Sequence, residues 1–423
     1  MKYHDRPIER PREDLLGRSR FSLTLARAVD GLITAKDGFV IAVIGEWGTG
    51  KSSVMEMTLR YLTHLEIERV AAAAGQSETL DTIETLAESY DRIRDRVAAY
   101  DAANFDLSKV KYDYAKELFP RWLESQEAGE RAFRYWGFLN DIEIQRKTIQ
   151  VRFSPWLIAG RAELATALLS ELARALGEKF GSEIKKAFAS ILKRLAEVAP
   201  VAGAGIDVVT GAGFGKVISA GATWSSGAAN KWTNGPTLDE LRENLRTLLR
   251  ALSDRRVLVV IDDLDRLTPS EAGEMVSLVK SLGDLPNVIY LLSYDQKNLE
   301  RLLNKGTSLS GRDYLQKIVQ YPLHLPPISN RKLSKILDAD LSELLGNLDP
   351  RDIRRVGYTW HYIFRHYLKT PRDVRLYTNA LTVSLSAQRD FVDPIDLMIL
   401  ELLRLHEPDL YSWIIRNLAE LTQ

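Results

Sequence analysis

The chain has no cysteine among its 423 residues, so disulfides, zinc ribbons and thiol nucleophiles are excluded and nothing points to secretion. Net charge is missing too. The 57 basic residues balance 57 acidic ones, which removes any global electrostatic case for nucleic acid or an anionic membrane and leaves only local patches open. The N-terminal Met1-Lys2-Tyr3-His4-Asp5-Arg6-Pro7 lacks the apolar core of a signal peptide, and a cytoplasmic location is the default expectation. Nor does any apolar run satisfy the ~20 residues of a transmembrane helix. The nearest approach is the Gly/Ala/Val-rich segment 196–231, interrupted by Asp207 and Lys216 and devoid of leucine between Glu197 and Lys231. It reads as a soluble hairpin or insert. Membrane contact through 196–231, with peripheral or inner-membrane association, is the alternative.

What remains is ordinary globular material, 45% hydrophobic and 27% charged, long enough for two or three domains or one elaborated domain. Its most informative stretch begins with the apolar run Phe39 to Ile44, a buried strand. Gly45-Glu46-Trp47-Gly48-Thr49-Gly50-Lys51-Ser52-Ser53 follows and leads into a helical pattern. Gly45, Gly50, Lys51 and Ser52 occupy the fixed places of a phosphate-binding loop. The glycines let consecutive N–H groups converge on a polyphosphate, and the helix aims its positive end at the same anion. Lys51 carries charge to the outer phosphates, and the Ser52 hydroxyl can enter the coordination shell of Mg²⁺.

Further apolar runs at 148–153, 257–261, 288–292 and 319–325 alternate with helical patterns, the last run placed at an edge by Pro322. The alternation predicts an α/β fold, a three-layer αβα core with a parallel sheet. Helical segments interrupt it, and a helical region closes the chain. The expected division is residues 1–59 as the first part of the core and 60–146 as a helical insert. Core strand and helix 147–180, Gly/Ala-rich insert 181–236, second core part 237–328 and helical lid 329–423 complete it.

The run 257–261 ends in Asp262-Asp263-Leu264-Asp265-Arg266. On a strand neighbouring the phosphate-loop strand, Asp262 can hold the metal opposite Ser52, and Asp263 can polarise the attacking water. The structural alternative is that these carboxylates cap the helix beginning near Pro269. Ser293 or Asp295, at the end of the next strand, can report on the γ-phosphate. Helix capping by Asp295 is an equal alternative. No Asn-Lys-x-Asp guanine signature occurs, since Asn230-Lys231-Trp232-Thr233 lacks the acid, and adenine is the expected base.

Together with Phe153-Ser154-Pro155-Trp156, Tyr314 to Gln320, Leu325-Pro326 and Thr370-Pro371-Arg372-Asp373-Val374-Arg375, these motifs resemble the KAP family of P-loop NTPases, within the broader AAA+/STAND-like ATPases. The resemblance implies ATP and Mg²⁺ as ligands, with large inserts between the two nucleotide motifs. Bacterial relatives are associated with signalling, phage exclusion and antiphage defence. It also implies that Arg372 is a sensor arginine reaching the phosphates, and that Arg312 or Lys317 is a cation offered to a neighbouring subunit. Solvated or salt-bridged side chains are the plain reading of those two.

The expectation is a Mg²⁺-dependent ATPase acting as a nucleotide-driven switch or assembly regulator, as a homo-oligomer or with an effector protein. A slow or non-hydrolysing ATP-binding scaffold and a nucleic-acid-stimulated ATPase are the alternatives. The stretch Arg351 to Arg375 bears on the last of these. It is basic and interleaved with Tyr358, Trp360, Tyr362, Phe364 and Tyr367, as nucleic-acid surfaces are. Amphipathic core helices explain the aromatics equally well, and Asp352 and Asp373 dilute the charge. His361 and His366 are poorly spaced to share a metal on one helix face.

Overall fold

The computed structural model describes residues 6–32, 37–73, 147–158, 161–180, 183, 186–191, 238–252, 255–306, 310–346, 349–388 and 391–421. The sequence readings for most of the 60–146 insert and for the 196–231 segment lie outside these residues. Among the described residues, no helix is long and apolar enough to cross a membrane.

Five strands form one sheet: β1 (Phe39–Ile44), β2 (Thr148–Phe153), β3 (Arg256–Ile261), β4 (Val288–Tyr294) and β5 (Tyr321–His324). Their order is β2-β3-β4-β1-β5, and the β2/β3, β3/β4 and β4/β1 pairs are parallel. Side chains alternate between the faces. Val40, Ala42, Val257, Val259, Tyr290 and Leu292 join one hydrophobic core, and Ile41, Val43, Leu258 and Leu291, of opposite phase, are buried as well. A sheet buried on both faces accounts for the uninterrupted apolar runs. Pro322 lies in the edge strand β5, where its missing N–H costs no ladder bond.

The helices of this part are α1 (Ser19–Gly31), α2 (Lys51–Ala73), α3 (Arg161–Phe180), α4 (Leu238–Arg250), α5 (Pro269–Leu282), α6 (Gln296–Gly306) and α7 (Gly311–Gln316). Helix α3 shows how periodicity becomes packing. Leu164, Leu168, Leu172 and Leu176, four apart, form one stripe buried in the sheet core.

Two strands reach beyond their apolar runs, each for a polar reason. β3 begins at Arg256, which is 1% exposed. Its guanidinium donates to Thr148 Oγ1 (3.0 Å), to the Asp30 carbonyl (2.7 Å) and to Asp30 Oδ1 (2.7 Å). Asp30 also takes both short bonds of Arg69, so one carboxylate ties α1, α2 and β3 together. β4 continues through the fully buried Ser293 to Tyr294. The expectation that the phosphate-loop strand and the Asp262 strand are neighbours is corrected by the sheet order. β4 lies between them, pairing with β1 on one side and β3 on the other. The crossover from β3 through α5 delivers β4 into that slot.

The chain divides into two compact units, one of Arg20–Ile44 and Met55–Leu323, the other of Met1–Ser19, Gly45–Val54 and His324–Gln423. The phosphate-loop segment therefore groups with the C-terminal helices. Those are α8 (Asn330–Leu345), α9 (Pro350–Thr359), α10 (Pro371–Gln388), α11 (Pro394–His406), α12 (Pro408–Arg416) and α13 (Leu418–Leu421). α9 runs into a π-helical turn, Trp360–Phe364, and a final turn, Arg365–Tyr367. Proline opens α9 to α12, at the helix end where its missing N–H is harmless. The core of this unit gathers Leu333, Leu337, Phe364, Leu368, Tyr377 and Met398.

Candidate functional site

The phosphate-loop segment starts one residue after β1. Glu46 O accepts the N–H of Thr49 (3.3 Å) and its hydroxyl (2.6 Å), closing a four-residue turn. Gly48 sits at the third position of that turn with φ +77°, where a type II turn demands a positive φ. Gly50 has φ +89° and Lys51 opens α2. Lys51 is 4% exposed. Its Nζ donates to Gly45 O (3.1 Å) and Glu46 O (3.3 Å), carbonyls of the loop itself. Ser52 is half-buried in the first turn of α2, and the Ser53 hydroxyl accepts the N–H of Ile8 (3.2 Å).

In the same unit, Thr370-Pro371-Arg372 rests on this loop. A Cβ on Gly48 would come to 2.8 Å from Thr370 Oγ1 and 3.1 Å from the Arg372 Cβ. The turn is held by reciprocal capping of α10, with Asp373 Oδ2 accepting the Thr370 N–H (2.8 Å) and Thr370 Oγ1 accepting the Asp373 N–H (3.2 Å). From there the Arg372 guanidinium lies 4.7 Å from the centroid of the Trp47 ring. Residues far apart in sequence, the loop and the arginine, are brought together.

The sheet unit carries the acidic group at the carboxyl ends of β3 and β4. Asp262 Oδ1 accepts the Asp263 N–H (2.9 Å) and, at short range, the Ser293 hydroxyl. Its Oδ2 takes no hydrogen bond among the described residues. Asp263 adopts φ +59°, a left-handed conformation that aspartate tolerates better than most residues. Its carboxylate pairs with Arg266 (2.9 Å), and the Arg266 guanidinium lies 5.7 Å from the centre of the Trp156 ring.

The two structural alternatives for the acidic residues divide. Helix α5 is capped by Thr268 and Glu271 in a reciprocal box, so neither Asp262 nor Asp263 serves that purpose. Asp295 does cap α6, its carboxylate accepting the Asn298 N–H (3.1 Å), while its own N–H donates to Asp265 Oδ1 (3.0 Å). Arg312 and Lys317 are exposed on α7 and the residue after it, and neither forms an ion pair among the described residues.

Sequence reading missed the two arginine–tryptophan pairs. It missed the Asp263–Arg266 ion pair as well, although a signal for that one existed, since the two stand three apart at a helical turn. For the contact of Trp47 with Arg372 there was none beyond the resemblance itself.

Comparison with known proteins places these segments. The model of the KAP family P-loop domain matches residues 18–387. Over 193 residues, 44% of the chain, the sequence is 33% identical to the phage T7 exclusion protein of Escherichia coli (strain K12). The match spans only 25% of that relative's length. Among solved structures, the Aeropyrum pernix ORC1 protein in complex with DNA aligns at TM-score 0.38 and 13% identity, covering 92% of this chain and 65% of that one. A Walker-type ATPase of Pyrococcus abyssi aligns at TM-score 0.38 and 13% identity, covering 100% and 79%. With the family model matched from before the phosphate loop to the end of α10, the chain belongs to the KAP family of P-loop NTPases.

Proposed function

We propose that the protein binds and hydrolyses ATP with Mg²⁺, and that this cycle switches a protein assembly in antiphage defence. The observation that carries the reading is the buried Lys51 amine, turned onto carbonyls of a loop in which Gly48 and Gly50 hold positive φ. A cation held by two neutral acceptors is ready to exchange them for phosphate oxygens, which bind it more strongly. Gly45, Glu46, Trp47, Gly48, Thr49, Gly50, Lys51, Ser52 and Ser53 would cradle the polyphosphate. The absence of a guanine signature favours adenine.

The residues present fit a hard divalent cation, because Ser52 and Asp262 offer oxygen donors. Asp262 is oriented by two bonds to Oδ1, which leaves Oδ2 to a ligand. When bound, Mg²⁺ would neutralise charge on the phosphates as the terminal bond breaks. Asp263 would accept a proton from the attacking water, and Ser293 would hold Asp262 in place. Arg372, permanently charged and planar, suits the spread negative charge of phosphoryl transfer. Asp295 as a second sensor, and Arg312 or Lys317 as a cation acting on a neighbouring copy in a homo-oligomer, complete the proposal.

The test is direct. Lys51→Ala should lose nucleotide binding, and Asp263→Asn should bind ATP yet turn over at least a hundredfold more slowly, roughly the contribution of a general base. Wild-type turnover by Asp263→Asn would refute the catalytic assignment. The partial likeness to a phage T7 exclusion protein supports the defence role. Plaque counts on cells expressing the parent or Lys51→Ala would check it, and equal counts would dismiss it. A second reading, a slow or non-hydrolysing switch working through an effector protein, is favoured by one feature. The Asp263 carboxylate is already paired with Arg266, which withholds it from water.

A further inference from the structure

The outward face of α9 and of the π-helical turn prolonging it takes no part in the proposed nucleotide chemistry. Its inward side holds Val356, Thr359 and Phe364, all buried, with Trp360, Ile363 and Tyr367 packed against the helical core. Steps of three and four residues put Arg351, Arg354, Tyr358, His361, Tyr362 and Arg365 on the other side. Tyr358 and Tyr362 are each 66% exposed. Their rings lie 6.3 Å apart and 12° from parallel, with His361 edge-on to Tyr362 at 4.9 Å. Core packing thus accounts for Phe364, Trp360 and Tyr367, but leaves two large parallel rings in water.

The charges follow the same division. Arg355, one residue round the helix, is tied to Asp352, Asp393 and Asp396. Among the described residues, Arg351, Arg354 and Arg365 form no ion pair with a carboxylate. A stripe of cations that no carboxylate neutralises among the described residues, with Arg354 Nε donating only to the neutral Pro350 carbonyl (3.1 Å) and parallel aromatic faces set among them, matches a flexible polyanion bearing flat rings.

We propose that this face binds single-stranded nucleic acid, the arginines meeting phosphates and the tyrosines stacking bases. A duplex offers the charge but hides its base faces. The ring separation of 6.3 Å is below the roughly 7 Å of two stacking steps, so bases would lie on the outer ring faces rather than between them. An acidic protein partner would satisfy the arginines without needing parallel rings.

The full chain, without nucleotide, is titrated against fluorescein-labelled oligo-dT and oligo-rU of about twenty nucleotides, with the anisotropy followed at low salt and then at rising salt. Because ATP is absent, the result is independent of the hydrolysis reading. Binding in the micromolar range is expected for either single strand, in preference to a duplex of equal length. Tyr358→Ala/Tyr362→Ala should weaken it at least tenfold with the salt slope unchanged. Arg351→Gln/Arg354→Gln should lower the magnitude of the log–log salt slope by about 1.4, two phosphates at ~0.7 each. All four side chains are exposed, so unchanged thermal melts are expected. No binding at tens of micromolar protein and low salt would overturn the proposal. So would duplex preference, parental affinity in the tyrosine variant, or variants that change only self-association in sedimentation.

Discussion

Gly48→Ala is the sharpest single perturbation of the phosphate loop. At φ +77° an alanine sits in the left-handed region, which costs an L-residue about 1–2 kcal/mol. Its Cβ would also stand 2.8 Å from Thr370 Oγ1 and 3.1 Å from Arg372 Cβ. Neither atom is the far end of a flexible chain, and Thr370 is fixed by its capping bonds to Asp373. The turn at Thr370 must shift or the loop must deform, and with a further ~1 kcal/mol for that strain the total is about 2–3 kcal/mol. If the loop opens to relieve it, the loss appears in nucleotide affinity, about 30- to 150-fold at 1.4 kcal/mol per tenfold. Gly346→Ala is the control. Gly346 has φ +73° and ψ −150° but nothing within 4 Å of the added Cβ. It should lower the melting temperature and leave affinity alone. Calorimetric titration of ATP into both variants decides the matter. A Gly48→Ala protein that melts like the parent and binds ATP within threefold of it would refute the reasoning.

The clamp on Asp263 is tested with Arg266→Ala. Because the arginine is 38% exposed, stability should change by less than ~1 kcal/mol, while ATP turnover rises several-fold; unchanged or lower turnover argues against a clamp. Arg372→Ala should abolish the change in Trp47 emission expected when ATP draws the guanidinium away from the ring. A response of parental size would show that the pair does not sense nucleotide. Burial pushes the Asp30 carboxyl upward, but hydrogen bonds and charge from Arg69 and Arg256 outweigh it and hold the group below the ordinary carboxylate range. Its stabilising effect is therefore complete above the unfolded value near ~4 and is lost as pH falls through the lowered folded value. Asp30→Asn strands the buried Arg256, so urea melts at neutral pH should show about 3–5 kcal/mol less stability. They should also show a flatter acid limb, and superimposable pH profiles would contradict the assignment.

The apolar runs made much of the sheet legible, because a strand buried on both faces has little choice of composition. β2 spans the residues its sequence marks, Thr148–Phe153. Failures came where a polar group is buried with a partner distant in the chain. Arg256 belongs to β3 only because Asp30 receives it, and Ser293 belongs to β4 with its hydroxyl on Asp262. The place of β4 between β1 and β3 was not legible either, since strand order is set by crossover packing that no single segment records. Within the phosphate loop, residue type and backbone demand coincide at Gly48 and Gly50, which is why a local motif could be read there. Trp47 and Arg372 have no such local signature.

Three of the charged groups that the proposed reaction uses are held by a local substitute. Lys51 lies on carbonyls of its own loop, Arg372 on the Trp47 ring, and Asp263 on Arg266. Each substitute is worth on the order of 1 kcal/mol, the net value of an ordinary hydrogen bond, cation–π contact or partly exposed ion pair. All three satisfied charges must be exchanged before chemistry can occur. If the exchanges are independent, they subtract about 3 kcal/mol from the interaction of nucleotide with the site, roughly 150-fold in apparent affinity or turnover. A partner that takes Arg266 from Asp263, or covers the Trp47 ring and so frees Arg372, would return part of that deficit without touching ATP. On the proposed reading, stimulation by a partner should then scale with which substitute is removed: Arg266→Ala should be turned over faster alone and respond less to the partner than the parent does.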